Sequence, residues 1–113
     1  MNFKKEHILF SLFLLSHLAI GKTDLATFEP LPEEVQRAYF LGQNHLVKGD
    51  LAEAYSSFQL CVDAEPKVAG FHFELGKIDL INEHYESALN FLNEAVELDP
   101  NNDWYHYYRG MAN

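Results

Sequence analysis

Apolar residues return at helical spacing along two neighbouring stretches in the middle of the chain. Tyr39, Leu46 and Val47 share one face of a run that ends at Lys48, and Ala54, Phe58, Cys61 and Val62 do so in a run from Leu51 to Ala64. Recurrence at intervals of three, four and seven residues marks an amphipathic helix. Gly49-Asp50 interrupts the pattern, so the two runs read as the arms of a helical hairpin. Pro66 ends the second arm, because proline bars the helical conformation to its predecessor and brings no amide hydrogen. Pro30 and Pro32 precede the first arm.

The same arrangement then repeats. Gly42, Gly76 and Gly110 are each 34 residues apart, and units written at 35–68, 69–102 and 103–113 bring further residues into line. Leu41 meets Leu75, Leu46 meets Leu80, Ala54 meets Ala88, Val62 meets Val96 and Pro66 meets Pro100; with the glycine these are six identities in 34 positions. Tyr39 with Phe73, Phe58 with Leu92 and Cys61 with Ala95 are conservative pairs. Glycine within a helix costs about 1 kcal/mol relative to alanine, so its return at one phase points to a steric need. Close approach of the paired helix supplies that need, with Ala54, Ala88, Cys61 and Ala95 keeping the contact small and Phe58 and Leu92 filling the volume.

A period of 34 with Leu-Gly early, alanine followed four residues later by a large apolar side chain, and proline near the end resembles the tetratricopeptide repeat. The resemblance covers 35–113. It implies an all-α, helical-hairpin solenoid of two full repeats, 35–68 and 69–102, and the start of a third at 103–113. The repeat-defining positions are Leu41, Gly42, Ala54, Phe58 and Pro66, then Leu75, Gly76, Ala88, Leu92, Ala95 and Pro100, then Gly110. The chain departs from the family pattern at its early aromatic position, which holds Ala38, His72 and His106, and at a later tyrosine position, which holds His45, Asp79 and Asn113. Arg109 stands where leucine should precede glycine. Each unit leaves an apolar face that the next one covers, so the sequence reads as the amino-terminal part of a longer protein that requires downstream repeats or a further domain.

The first residues follow another logic. Lys4 and Lys5 precede an apolar run from Ile8 to Ile20, and Ala19-Ile20-Gly21 offers the small side chains that a signal peptidase needs. Residues 1–21 therefore read as a cleaved signal peptide, and 22–34 as linker and lead-in. The run is shorter than the roughly 20 apolar residues of a spanning helix, which leaves a retained anchor as the alternative. Export to a periplasmic or extracellular space is the expected localisation.

Charge narrows the range of partners. Residues 22–113 hold six Lys and Arg against sixteen Asp and Glu, a net charge of −10 with histidine neutral. No basic cluster exists to displace counterions from nucleic acid or to meet anionic lipid, so neither nucleic-acid nor membrane contact is expected of the mature chain. Cys61 is the single cysteine and reads as a small buried side chain. The six histidines lack metal-ligand spacing: His7 and His17 lie in the signal, and His72 and His106 share a phase of the repeat. Glu83, Glu86, Glu94 and Glu97 fall on outer faces of helices. There is no phosphate loop, nucleophile elbow or local Ser-His-Asp order, so no enzyme, catalytic residue, metal or cofactor is expected.

In the family that the repeats resemble, the first helices line a concave groove that holds a partner protein or peptide. The resemblance places Tyr39 and Gln43 of the first unit, Phe73 and Lys77 of the second, and Trp104 and Tyr107 of the third on that groove. Gln36, Leu46, Val47, Gly70, Leu80, Ile81 and Met111 lie along the same stripe, Leu46 and Leu80 being equally readable as core. Forms of the fold that grip a carboxylate tail use Lys, Asn and Arg in positions where this chain has Tyr39, Gln43, Glu74, Trp104 and Tyr108. An apolar or amphipathic ligand segment is expected instead. Alternatives are the external sensor region of a signalling protein, or a docking module for an enzyme encoded beyond residue 113.

Overall fold

The computed structural model describes residues 29–113; the signal at 1–21 and the lead-in up to residue 28 lie outside it. Five helices follow one another: α1 (Glu33–Lys48), α2 (Leu51–Ala64), α3 (Ala69–Ile81), α4 (Tyr85–Leu98) and α5 (Asp103–Ala112). No strand interrupts them among the described residues. The first helix begins inside the stretch read from sequence as lead-in. Pro32 stands at its amino cap, and its carbonyl accepts from the Val35 and Gln36 amides, both at 3.0 Å. Glu33 and Glu34 then place negative charge against the positive end of the helix dipole.

The turn inside each hairpin is the same backbone device in two chemistries. Gly49 ends α1 at φ 82°, with Asp50 N–H donating to the His45 carbonyl at 2.8 Å and Gly49 N–H to the Leu46 carbonyl at 3.1 Å. This left-handed cap satisfies carbonyls that the helix leaves open. One period later Glu83 takes the same conformation at φ 61°, with His84 N–H donating to Asp79 at 2.8 Å and Glu83 N–H to Leu80 at 3.0 Å. A side chain there costs about 1–2 kcal/mol that glycine escapes.

Within each hairpin the repeat glycine receives the large apolar residue of the second helix. A Cβ on Gly42 would stand 2.7 Å from the Phe58 ring, and one on Gly76 would stand 2.7 Å from Leu92 Cγ. Phe58 and Leu92 are both fully buried, so neither can move aside into solvent. Gly110 differs, because nothing among the described residues lies within 4 Å of the corresponding point.

Hairpins stack through the residues between them. Ala54 and Phe58 of α2 form one cluster with Leu75 and Ile78 of α3, and Ala95 and Val96 of α4 form another with Ala69 and with Tyr105 of α5. Leu41 and Leu75, identical in sequence, have different surroundings. Leu75 is fully buried against α2, whereas Leu41 is 50% exposed, since no described helix precedes α1 to cover it. Burial at this position comes from the preceding unit, not from the leucine.

The proline turns are held by the two histidines at one repeat phase. His72 Nε2–H donates to the Pro66 carbonyl at 2.7 Å, and His106 Nε2–H donates to the Pro100 carbonyl at 2.8 Å. Each imidazole thus ties the start of one unit to the end of the unit before it. Cys61 is buried, donates from Sγ to the Val35 carbonyl at 3.6 Å, and has its thiol pushed up to about 11 by burial. No described helix is long and apolar enough to cross a membrane, and no three His, Cys, Asp or Glu among the described residues group so as to hold a metal ion.

Candidate functional site

The first helices of the three units, α1, α3 and α5, border a cavity of about 410 Å³. Tyr39 contributes one side, Gly70, Phe73 and Lys77 the floor, and Trp104, Tyr105 and Tyr108 the far wall, with Asn102 at the entry to α5. Asn102 also caps that helix, its Oδ1 accepting from the Trp104 amide at 3.0 Å. The cap fixes where the indole leaves the backbone.

Aromatic contact builds the walls. Phe73 stacks tilted on Tyr105 at 4.7 Å between ring centroids and edge-on to Tyr108 at 5.1 Å. Tyr39 sits between Phe58 and Phe71 at 5.8 and 5.7 Å, so it belongs to the core as much as to the groove. Trp104 and Tyr107 meet edge-on at 6.0 Å. These separations fall within the attractive range for aromatic pairs. Trp104 is 64% exposed and Tyr107 60%, an open aromatic surface beside the partly buried Phe73.

One charged group lies in this wall. Glu74 has a side chain only 8% exposed, with Oε2 accepting from Gln43 Nε2 at 2.7 Å across to α1. Its Oε1 stands 2.8 Å from Lys77 Nζ, close enough to pair, yet among the described residues no hydrogen-bond donor is directed at that oxygen. The ammonium of Lys77 also lies over the Phe73 ring, 4.8 Å from its centroid. Burial first, and then the charge of Glu74, push the Tyr39 phenol up to about 12. Burial, Asp99 and then Glu74 push Tyr105 to about 12 as well. Both phenols therefore remain neutral donors at physiological pH.

Of the six residues placed on the groove from sequence, Tyr39, Phe73, Lys77 and Trp104 line the cavity, and Gln43 reaches it through Glu74. Tyr107 stands outside the lining but packs on both Trp104 and Tyr108. Along the rest of the stripe, Leu46 and Leu80 pack against core clusters, and Gln36 is bound to the Leu31 carbonyl at 2.6 Å. Val47, Ile81 and Met111 are exposed and do not line the cavity. Sequence reasoning did not anticipate Tyr105 or the burial of Glu74. The signal for Glu74 lay in the repeat phase, since residues 40, 74 and 108 are equivalent and the outer two are Phe40 and Tyr108.

A second polar group lies at the turn of the second hairpin. Asp79, 4% exposed, accepts from the Ser87 hydroxyl, with His84 Nδ1 3.7 Å from its other oxygen. Burial and then Asp79 raise the neighbouring Tyr55 phenol. A nucleophilic triad needs the hydroxyl bonded to the imidazole, whereas here it is bonded to the carboxylate. The contact therefore serves to satisfy a buried carboxylate.

Antiparallel helix pairs stacked in register, with a groove along the first helices, define an all-α hairpin solenoid. Residues 69–102 match the family model of the tetratricopeptide repeat. The chain thus carries a tetratricopeptide repeat, preceded by a hairpin and followed by a helix of the same construction. A solved structure described as the CopN-Scc3 complex contains a chain of similar fold, with a TM-score of 0.68 at 20% identity over 94% of this chain and 76% of that one. No curated protein sequence matches.

Proposed function

We propose that this protein is a non-enzymatic, protein-binding scaffold that holds an apolar or amphipathic segment of a partner in the groove of α1, α3 and α5. The observation that carries this reading is the exposed aromatic surface of Trp104 and Tyr107 continuous with the cavity over Phe73. Tryptophan and tyrosine dominate binding hot spots because they bring a large apolar area with few rotatable bonds. The likeness in fold to a chain solved within a protein complex supports the same reading. A photo-activated cross-linker placed at Trp104 in the full protein, expressed in its own host, should yield a discrete protein adduct. The same group at Glu94, exposed on α4, should yield none. Adducts from Glu94 and none from Trp104 would move the binding face to the acidic outer surface.

Export is part of the proposal. It rests on Lys4-Lys5, the apolar run and Ala19-Ile20-Gly21. Amino-terminal sequencing of material recovered outside the cytoplasm should read from Lys22. An intact Met1 in a membrane fraction would show an anchor instead.

A further inference from the structure

The groove has a feature that a purely apolar binding surface would not need. Glu74 occupies a repeat position that is aromatic in both flanking units, and it is buried there. A buried carboxylate is costly unless it is paired, and removing its partner is costlier still. Its present partner is Lys77, the single Lys or Arg among the described residues that line the cavity. The ammonium sits against both the Phe73 ring and the Glu74 carboxylate, so the site already holds a cation in a geometry that combines cation–π and charge attraction.

We propose that the groove takes a basic side chain of its partner, an arginine in preference to a lysine, against Phe73 and Glu74, displacing Lys77 as the resident cation. This rests on the reading of the groove as the binding face and adds the chemistry of what it binds. Three observations carry it. Among the described residues the Oε1 oxygen of Glu74 is met only by the Lys77 ammonium, at 2.8 Å and off the axis of a hydrogen bond, and a planar guanidinium entering from the cavity supplies a directed donor. Lys77 is held by a point contact on its own helix, and its strongly hydrated ammonium is well accommodated by water once released. Guanidinium is less hydrated and stacks on aromatic faces, so the exchange favours the incoming group. Charge complementarity acts beyond the pocket too, since the described residues hold fifteen Asp and Glu against five Lys and Arg. A surface at −10 draws basic segments towards it and repels acidic ones.

Trp104, the only tryptophan of the chain, lines the cavity and reports on its occupation by fluorescence. The probes are acetyl-Phe-Arg-Leu-amide, its citrulline counterpart, which keeps the shape and loses the charge, and the corresponding glutamate peptide. The arginine peptide should bind the full protein roughly tenfold more tightly than the citrulline peptide. Glu74→Gln, isosteric and checked for retained helicity, should abolish that difference. Lys77→Met should tighten arginine binding severalfold and leave the citrulline peptide unchanged, because it removes the competitor. Weaker arginine binding by Lys77→Met, or tighter binding of the glutamate peptide by the parent, would overturn the proposal by making Lys77 itself the ligand contact. Equal binding of arginine and citrulline peptides at Trp104, unmoved by Glu74→Gln, would overturn it while leaving the groove as the binding face. If no peptide perturbs Trp104, both readings fall together.

Discussion

Gly76→Leu is expected to destabilise the protein by roughly 1–3 kcal/mol or more. A side chain at Gly76 meets Leu92 Cγ at 2.7 Å and the Ala88 carbonyl oxygen at 3.5 Å. Leu92 is fully buried and the carbonyl is backbone, so α3 and α4 must separate to admit it. Thermal unfolding followed by circular dichroism resolves this loss, because 1 kcal/mol moves the midpoint of a 60–100-residue domain by about 4–8 °C. Glu86→Gln on the exposed start of α4 serves as a control and should barely move it. Equal losses at the two positions would mean that the helix faces are wrongly phased.

Repeat-equivalent positions also show how far the chain could be read from its letters. The period, the hairpins and the proline stops were legible, because they depend on local signals: Gly49 breaking a run, Pro66 and Pro100 closing helices, apolar residues returning every three or four positions. Environment was less legible. Leu41 and Leu75 are the same letter at the same phase, yet among the described residues only Leu75 has a preceding helix against it. Glu83 adopts the left-handed turn that Gly49 announces openly, and nothing in a glutamate predicts it. His72 and His106 could be recognised as repeating, but the proline carbonyls they hold became visible only in three dimensions. Glu74 was read as a residue unable to grip a carboxylate. Its role as a buried acceptor between Gln43 and Lys77 depends on two helices meeting, which no local pattern encodes.

Groove binding itself is tested most directly at Trp104. Phe73→Ala and Tyr39→Ala would weaken binding too, but they also remove packing, since Phe73 carries Tyr105 and Tyr108 and Tyr39 lies between Phe58 and Phe71. Truncation of a buried phenylalanine typically costs 3–5 kcal/mol, enough to confuse lost affinity with lost structure. Trp104 is 64% exposed, so its removal should spare stability. The decisive measurement is a calorimetric titration of the partner captured through position 104 against the parent and Trp104→Ala, with melting curves recorded for both. Hot-spot truncations cost about 2 kcal/mol or more, so affinity should fall by roughly thirtyfold while the melting temperature stays the same. Affinity unchanged by Trp104→Ala, but abolished by Glu94→Lys on the outer face of α4, would contradict groove binding and make the negative surface the contact.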